Sequence, residues 1–293
     1  MKRHELLSSE VRIAEARGEL MRMVMLRNDP AAHTLLPRQV EVETPKIHLV
    51  VTSPPYHALF DYGGDGGQIG FGQRYEDFLQ SLNTVWGCCL SLLEPGCKIC
   101  IVVGDVFVRG TDGQPYFVRP LQADIVRQLD KLGFRTLGNI IWNKMTSTKT
   151  SGGGSWMGSI YHPRNGMVTY EHEYIIIAQK PGKSPRPSPG DKEKSRMTKE
   201  QRSEWFRGLW KVSGRRKDDI HPAAYPLEIP SRLIRMFSFH GERVLDPFLG
   251  SGVTLEAAEI HGRRCTGIEL VDEYLPLIEK AAERVEFERL GYV

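Results

Sequence analysis

The 293-residue chain has no apolar run near the length of a membrane span, and its polar amino terminus is unlike a secretory signal. Both absences point to the cytosol. Cysteine is scarce, with Cys88, Cys89, Cys97, Cys100 and Cys265 all lying in apolar stretches. Cys97 and Cys100 form one CxxC, but no second pair or histidine cluster completes a zinc site, so buried structural thiols are expected and no metal. An excess of charge of one sign is missing too: the net charge is only +3. Hydrophobic and charged fractions are ordinary, and the length suits one large domain or two modest ones.

What the chain does have is an unusual strand exit. The apolar run Ile47-His48-Leu49-Val50-Val51 leads into Thr52-Ser53-Pro54-Pro55-Tyr56. Two consecutive prolines fix φ and remove backbone donors, so the turn offers carbonyl oxygens without competing N–H groups. Ser53 adds a hydroxyl acceptor, and Tyr56 adds a flat face with a polar tip. Such a corner suits a flat group carrying an exocyclic amine. Taken alone it reads equally well as an ordinary Pro-Pro stop.

A second exit lies near the other end. Arg243-Val244-Leu245-Asp246 runs into Pro247-Phe248-Leu249-Gly250-Ser251-Gly252-Val253-Thr254 and then into a helical stretch. Gly250 and Gly252 permit close approach of a ligand, and the start of the helix presents free N–H groups. Beyond it another strand, 264–270, carries the acidic Glu269 near its carboxyl end, as in the nucleotide half of a Rossmann-like sheet, where an acid holds ribose hydroxyls. The third glycine of a dinucleotide fingerprint is missing, which disfavours an oxidoreductase. Asp246 would repel a pyrophosphate and would suit an ammonium group. Ribose at one end and an α-amino acid at the other describe S-adenosyl-L-methionine.

Ser-Pro-Pro-Tyr upstream with Asp-Pro-Phe-x-Gly-Ser-Gly downstream resembles the amino-group DNA methyltransferases of the β arrangement, whose catalytic half precedes the cofactor half. The similarity runs from about residue 21 to the end. The stretch 221–230, beginning His221-Pro222, also resembles the family's helix-leading motif beside the methionine end of the cofactor. In that family Ser before Pro-Pro, as Ser53 here, goes mostly with enzymes methylating the cytosine amine, and Asp or Asn mostly with adenine enzymes. The thiolate nucleophile needed for attack at cytosine carbon-5 sits in a Pro-Cys dipeptide, and none exists here.

The resemblance implies an α/β Rossmann-like S-adenosylmethionine-dependent methyltransferase fold with a mostly parallel, doubly wound sheet, circularly permuted, and a small target-recognition insertion. The expected divisions are a helical extension over 1–20, a catalytic half over 21–180, a basic linker or target-recognition region over 181–217, and a cofactor half over 218–293. Between Lys180 and Lys217 thirteen Lys/Arg face four Asp/Glu, so Arg207, Arg215 and Arg216 become candidate DNA contacts. A solvated linker is the competing reading of its Pro-rich part. The strand beyond Glu269 has to come from the amino terminus, and residues 21–26, ending near Asp29, are its candidate.

The implied reaction moves a methyl group to the N(4) amine of a flipped-out cytosine in double-stranded DNA, leaving S-adenosyl-L-homocysteine. Ser53, Pro54, Pro55 and Tyr56 would form the catalytic tip. Asp246, Pro247, Phe248, Gly250, Ser251, Gly252, Thr254, Glu269, His221 and Pro222 would surround the cofactor. The glycine-rich loop after Tyr56 is a candidate lid, and 147–164 a candidate base-reading segment. Expected partners are double-stranded DNA and a cognate restriction endonuclease, with no membrane, for a monomer or homodimer in a prokaryotic cytosol. An adenine-N(6) enzyme and a non-catalytic DNA-binding protein of the same fold are the alternatives.

Overall fold

The computed structural model describes residues 10–13, 46–57, 68–108, 110, 116–144, 168, 170–214 and 225–289. The expected strand 21–26, Asp29, His221, Pro222, Arg215, Arg216, the segment 147–164 and most of the glycine-rich loop lie outside them.

An eight-stranded sheet runs through the molecule. Its middle is β2 (Ile47–Thr52) and β3 (Leu93–Val103), paired in parallel. To one side lie β9 (Arg243–Asp246), β10 (Arg264–Glu269) and β1 (Glu10–Ile13), all parallel. To the other lie β7 (His172–Gln179), β6 (Arg135–Asn143) and β8 (Leu209–Lys211). β7 is antiparallel to both β3 and β6, which sets this side of the sheet apart from the parallel strands around β2. A separate hairpin, β4 (Val106–Val108) and β5 (Phe117–Arg119), follows β3.

Apolar residues alternate so that both faces of the sheet are buried. Ile99, Ile101, Val103, Ile176 and Ala178 face one core, shared with Phe78, Leu82 and Trp86 of α1 (Tyr75–Leu92) and with Leu121, Ile125 and Leu129 of α2 (Leu121–Leu132). Leu49, Val51, Cys100, Val102, Ile175 and Val244 face the other. That second core is closed by α5 (Glu228–Phe237), α6 (Val253–Ile260) and α7 (Leu275–Arg289). All five cysteines are buried thiols outside any disulfide, and burial pushes every thiol up, in keeping with the expected structural role.

Two expectations change. Within residues 1–20, Glu10–Ile13 is a strand rather than part of a helix, pairing Val11 with Gly267 and Ile13 with Glu269. The segment alternates polar and β-branched apolar residues, a strand pattern that the surrounding charges obscured, and the open edge of β10 supplies the partner. The edge strand is therefore amino-terminal, as required, but it is an earlier segment than 21–26.

The Pro-rich stretch is also structured. Ser188 caps α3 (Pro189–Lys194), its hydroxyl accepting from the Asp191 amide at 3.1 Å, with proline at the first turn. Thr198 and Gln201 form a reciprocal capping box on α4 (Lys199–Trp205). Lys180 donates to the Leu90 and Leu93 carbonyls, so its charge terminates α1. The His240 amide donates to Ser195 Oγ at 2.7 Å, and its ring meets Asp191 at 3.2 Å. His240 just precedes β9, so α3 docks at the amino end of that strand, opposite the glycine loop. Its Lys192 and Lys194 do not face the crevice described next.

Candidate active site at the carboxyl ends of β2 and β9

The order of the sheet reverses between β2 and β9: from β2 the chain winds through α1 to β3, and from β9 through α6 to β10 on the other side. Ligands of doubly wound sheets bind outside the carboxyl ends at this point. The two strands pair directly, Leu49 with Val244 and Val50 with Leu245. The Ser-Pro-Pro-Tyr tip and the glycine loop, nearly 200 residues apart in the chain, therefore leave the sheet side by side.

A buried hydrogen-bond cluster joins them. Thr52 Oγ1 donates to Asp246 Oδ1 at 2.6 Å, and the Phe248 amide donates to the same oxygen at 3.0 Å. Thr254 Oγ1 donates to Asp246 Oδ2 at 2.5 Å, with the Tyr225 hydroxyl 3.4 Å from that oxygen and 2.5 Å from Thr254 Oγ1. Asp246 is 1% exposed and both its oxygens are occupied by the protein. Besides the ligand-facing role expected from the sequence, this carboxylate is a clamp holding β2, the loop, the start of α6 and Tyr225 together. Burial raises its pKa to about 6, outweighing the hydroxyl and amide donors that lower it.

Glu269 ends β10 and is also largely buried. Its carboxylate accepts from the amides of Gly250 at 2.6 Å, Leu270 at 2.9 Å and Val271 at 3.0 Å. One acid thereby pins the glycine loop, and burial raises its pKa in spite of these bonds. Gly250 and Gly252 have φ of +54° and +83°, the region L residues avoid, and a Cβ on Gly252 would lie 3.3 Å from Ile278. Gly252 sits at the N-cap of α6, where no side chain caps the first turn. Phe248 is half-buried, its ring edge-on to Trp86 of the first core at 6.2 Å. Ser251 Oγ is buried with no hydrogen-bond partner among the described residues. A glycine turn, an uncapped helix start, an orphaned hydroxyl and an acid one strand over fit a ligand with ribose hydroxyls and a polar amino-acid end.

On the β2 side, Ser53, Pro55 and Tyr56 are partly exposed and Pro54 is buried. The Tyr56 hydroxyl donates to Glu173 Oε1 at 2.9 Å, and Lys144 forms an ion pair with the same oxygen. His57 Nε2 lies 2.8 Å from the Gln73 carbonyl and packs on Tyr75 and Phe78, fixing the chain after the tip. Arg207, the described member of the expected DNA contacts, donates to the Ser203 carbonyl at the end of α4. Thr52, Tyr225, Glu173 and Lys144 escaped the sequence reading. Tyr225 stood inside the stretch beginning at His221, and Glu173 at the head of an apolar strand, but neither position announces its long-range partner. Among the described residues no His/Cys/Asp/Glu group could hold a metal ion.

A doubly wound sheet with a glycine loop at its switch point and a Ser-Pro-Pro-Tyr tip beside it defines a methyltransferase that uses S-adenosyl-L-methionine. The model of the DNA methylase family, which groups N(6)- and N(4)-acting enzymes, matches residues 47–280, and the chain belongs to this family of β-arranged amino-group methyltransferases. It is 35% identical over 270 residues to the type II methyltransferase M.MjaI of Methanocaldococcus jannaschii, covering 82% of this chain and 86% of that one. A Thermus thermophilus protein assigned as a DNA modification methylase, solved with S-adenosyl-L-methionine, is 39% identical with a TM-score of 0.69, covering 94% and 95%. The cytosine-N4-specific PvuII DNA methyltransferase shares the fold, with a TM-score of 0.59 and 16% identity over 95% and 93% of the chains. The cofactor is S-adenosyl-L-methionine, and the reaction is methyl transfer to DNA. No described helix is long and apolar enough to cross a membrane.

Proposed function

We propose that the chain methylates the exocyclic N(4) amine of cytosine in double-stranded DNA, with Ser53, Pro54, Pro55 and Tyr56 as the amine-binding tip. The observation that carries this reading is the direct tie between the two strand exits: the 2.6 Å bond from Thr52 to Asp246 holds Ser53, the next residue, beside the loop of Gly250 and Gly252. Ser53 in place of an acid or amide supports cytosine over adenine.

The target base is stacked within the duplex and has to rotate out to reach the crevice. Tyr56 offers its ring face to the extruded pyrimidine. The Ser53 hydroxyl and the Pro54 carbonyl accept from the amine, turning its weakly nucleophilic lone pair toward the donor. Bound S-adenosyl-L-methionine supplies an electrophilic methyl carbon. A serine hydroxyl is too weak a base to deprotonate the amine first, so Ser53 orients it and the proton departs after transfer. Glu269 receives the ribose hydroxyls, and Ser251 with the first amides of α6 meets the amino-acid end. Asp246 acts one step removed, keeping the loop and the tip in register. Arg207, with Arg215 and Arg216, is assigned to DNA phosphates, and a paired restriction endonuclease accords with the type II names of the relatives.

Duplex DNA treated with the protein and labelled S-adenosyl-L-methionine, then digested to nucleosides, should carry the label in N(4)-methyldeoxycytidine. Label in N(6)-methyldeoxyadenosine would refute the base assignment, and its absence from DNA the whole reading. Ser53→Ala should lower kcat about a hundredfold, the scale of a misplaced reacting group, while calorimetry finds cofactor affinity unchanged.

A further inference from the structure

Tyr56 does not end at its ring. Its hydroxyl donates to Glu173 Oε1 at 2.9 Å across 117 residues of sequence, and Lys144 pairs with that same oxygen. Three strand ends meet here: Tyr56 follows β2, Glu173 stands near the start of β7, and Lys144 follows β6. Register brings the last two together, since Trp142 pairs with Glu173 and the Lys144 amide donates to the Glu171 carbonyl at 3.0 Å. The side chains of Lys144 and Glu173 are only 23% and 12% exposed, so water competes poorly for the pair.

Gly104, just past the end of β3, lets the group close. A Cβ there would lie 3.2 Å from Glu173 Cγ, so a side chain would press on Glu173, while Tyr56 Cε1 at 3.6 Å would be in ordinary contact. The Lys144 ammonium also lies 5.3 Å from the centre of the Trp142 ring, and Trp142 Nε1 donates to the Val212 carbonyl at 2.8 Å. Each partner of Tyr56 is thus itself held.

A phenol donating to a carboxylate makes a charge-assisted hydrogen bond, stronger than one between neutral groups. Two torsions orient a tyrosine ring, and anchoring the far end of the phenol restricts both. A stacking platform frozen before the base arrives avoids paying ordering entropy on binding and keeps the amine in line for transfer. Resting on the reading of Tyr56 as the base platform, we propose that Glu173, its charge matched by Lys144, is a positioning residue that fixes the Tyr56 ring for the extruded base. Glu173 acts through Tyr56 and makes no contact with the reacting atoms.

The test is a double-mutant cycle in the full chain, measuring methyl transfer to unmethylated duplex DNA at saturating cofactor. Tyr56→Phe, which keeps the ring and removes the anchor, and Glu173→Ala should each lower kcat about tenfold or more, the factor carried by a hydrogen bond to a charged group. KM for S-adenosyl-L-methionine should stay unchanged. The double variant should be no slower than the slower single one. Glu173→Gln, whose amide oxygen still accepts from the phenol, should recover part of the rate lost in Glu173→Ala. Multiplying losses in the double variant would overturn the proposal, as would a Tyr56→Phe enzyme of full activity. So would a Glu173→Ala variant whose only change is a lower melting temperature. Tyr56→Ala separates the two levels of the argument: full turnover there sinks the stacking role itself, whereas loss of turnover with an additive cycle sinks only the role of Glu173.

Discussion

Asp246 shows how far a residue's chemistry depends on what surrounds it. In sequence it is an acid ahead of a glycine loop, and a positively charged ligand group is the natural guess. Folded, it is a buried acceptor for Thr52, Thr254 and the Phe248 amide. Its pKa, ordinarily 3.8, rises to about 6 because the loss of water outweighs those donors. The folded protein therefore holds this proton more tightly than the unfolded chain does. The resulting stability is complete below pH 3.8 and is lost as pH rises through about 6. Asp246→Asn removes the titration, so the stability difference between variant and parent, from urea unfolding at several pH values, should shift in the variant's favour across that window. A difference independent of pH would show that the carboxyl does not titrate there. Glu173 gives the same lesson from the other side: an acid at the head of an apolar strand whose two partners come from other strands.

At the scale of elements, the contiguous ones were legible. The apolar spacing of residues 75–93 and the Glu-Pro-Gly after it announce α1, and the amphipathic pattern of 121–132, closed by Gly133 at φ of +96°, announces α2. The short elements were not legible. α3 and α4 lie in a stretch whose prolines suggest a linker, yet Ser188 and Thr198 cap them and α5 receives them, with Arg232 paired to Glu204 at 2.9 Å and Arg235 donating to the Arg196 carbonyl. β1 is four residues long, and only the free edge of β10 makes it a strand. Val11 and Arg12 are adjacent, so one of their two amides points toward β10. Replacing both with proline should cost one ladder hydrogen bond, about 1 kcal/mol. Thermal unfolding followed by circular dichroism should show a lower midpoint, and an unchanged one would remove β1 from the sheet.

For the molecule as a whole, the surplus of positive charge and the reaction crevice separate in part. The segment from Lys180 to Lys217 carries thirteen Lys/Arg against four Asp/Glu, but Lys180 caps α1 and α3 docks beside His240 at the amino end of β9. A duplex seated over the carboxyl ends would not reach that side. Lys192→Gln with Lys194→Gln should therefore leave the methylation rate within about twofold of the parent at low and at physiological salt, where a phosphate contact would show as a changed salt slope. A clear loss of rate with a flatter salt dependence would put DNA against α3. The two strand tips, the glycine loop, the acid on the next strand and the family itself were all contained in the order of amino acids, because each is a run of neighbours whose chemistry is local. Which amino-terminal segment closes the sheet, what Asp246 and Glu173 bind, and where α3 of the basic stretch docks were decided only by the tertiary structure. Those outcomes rest on contacts between residues far apart in the chain, which no local pattern encodes.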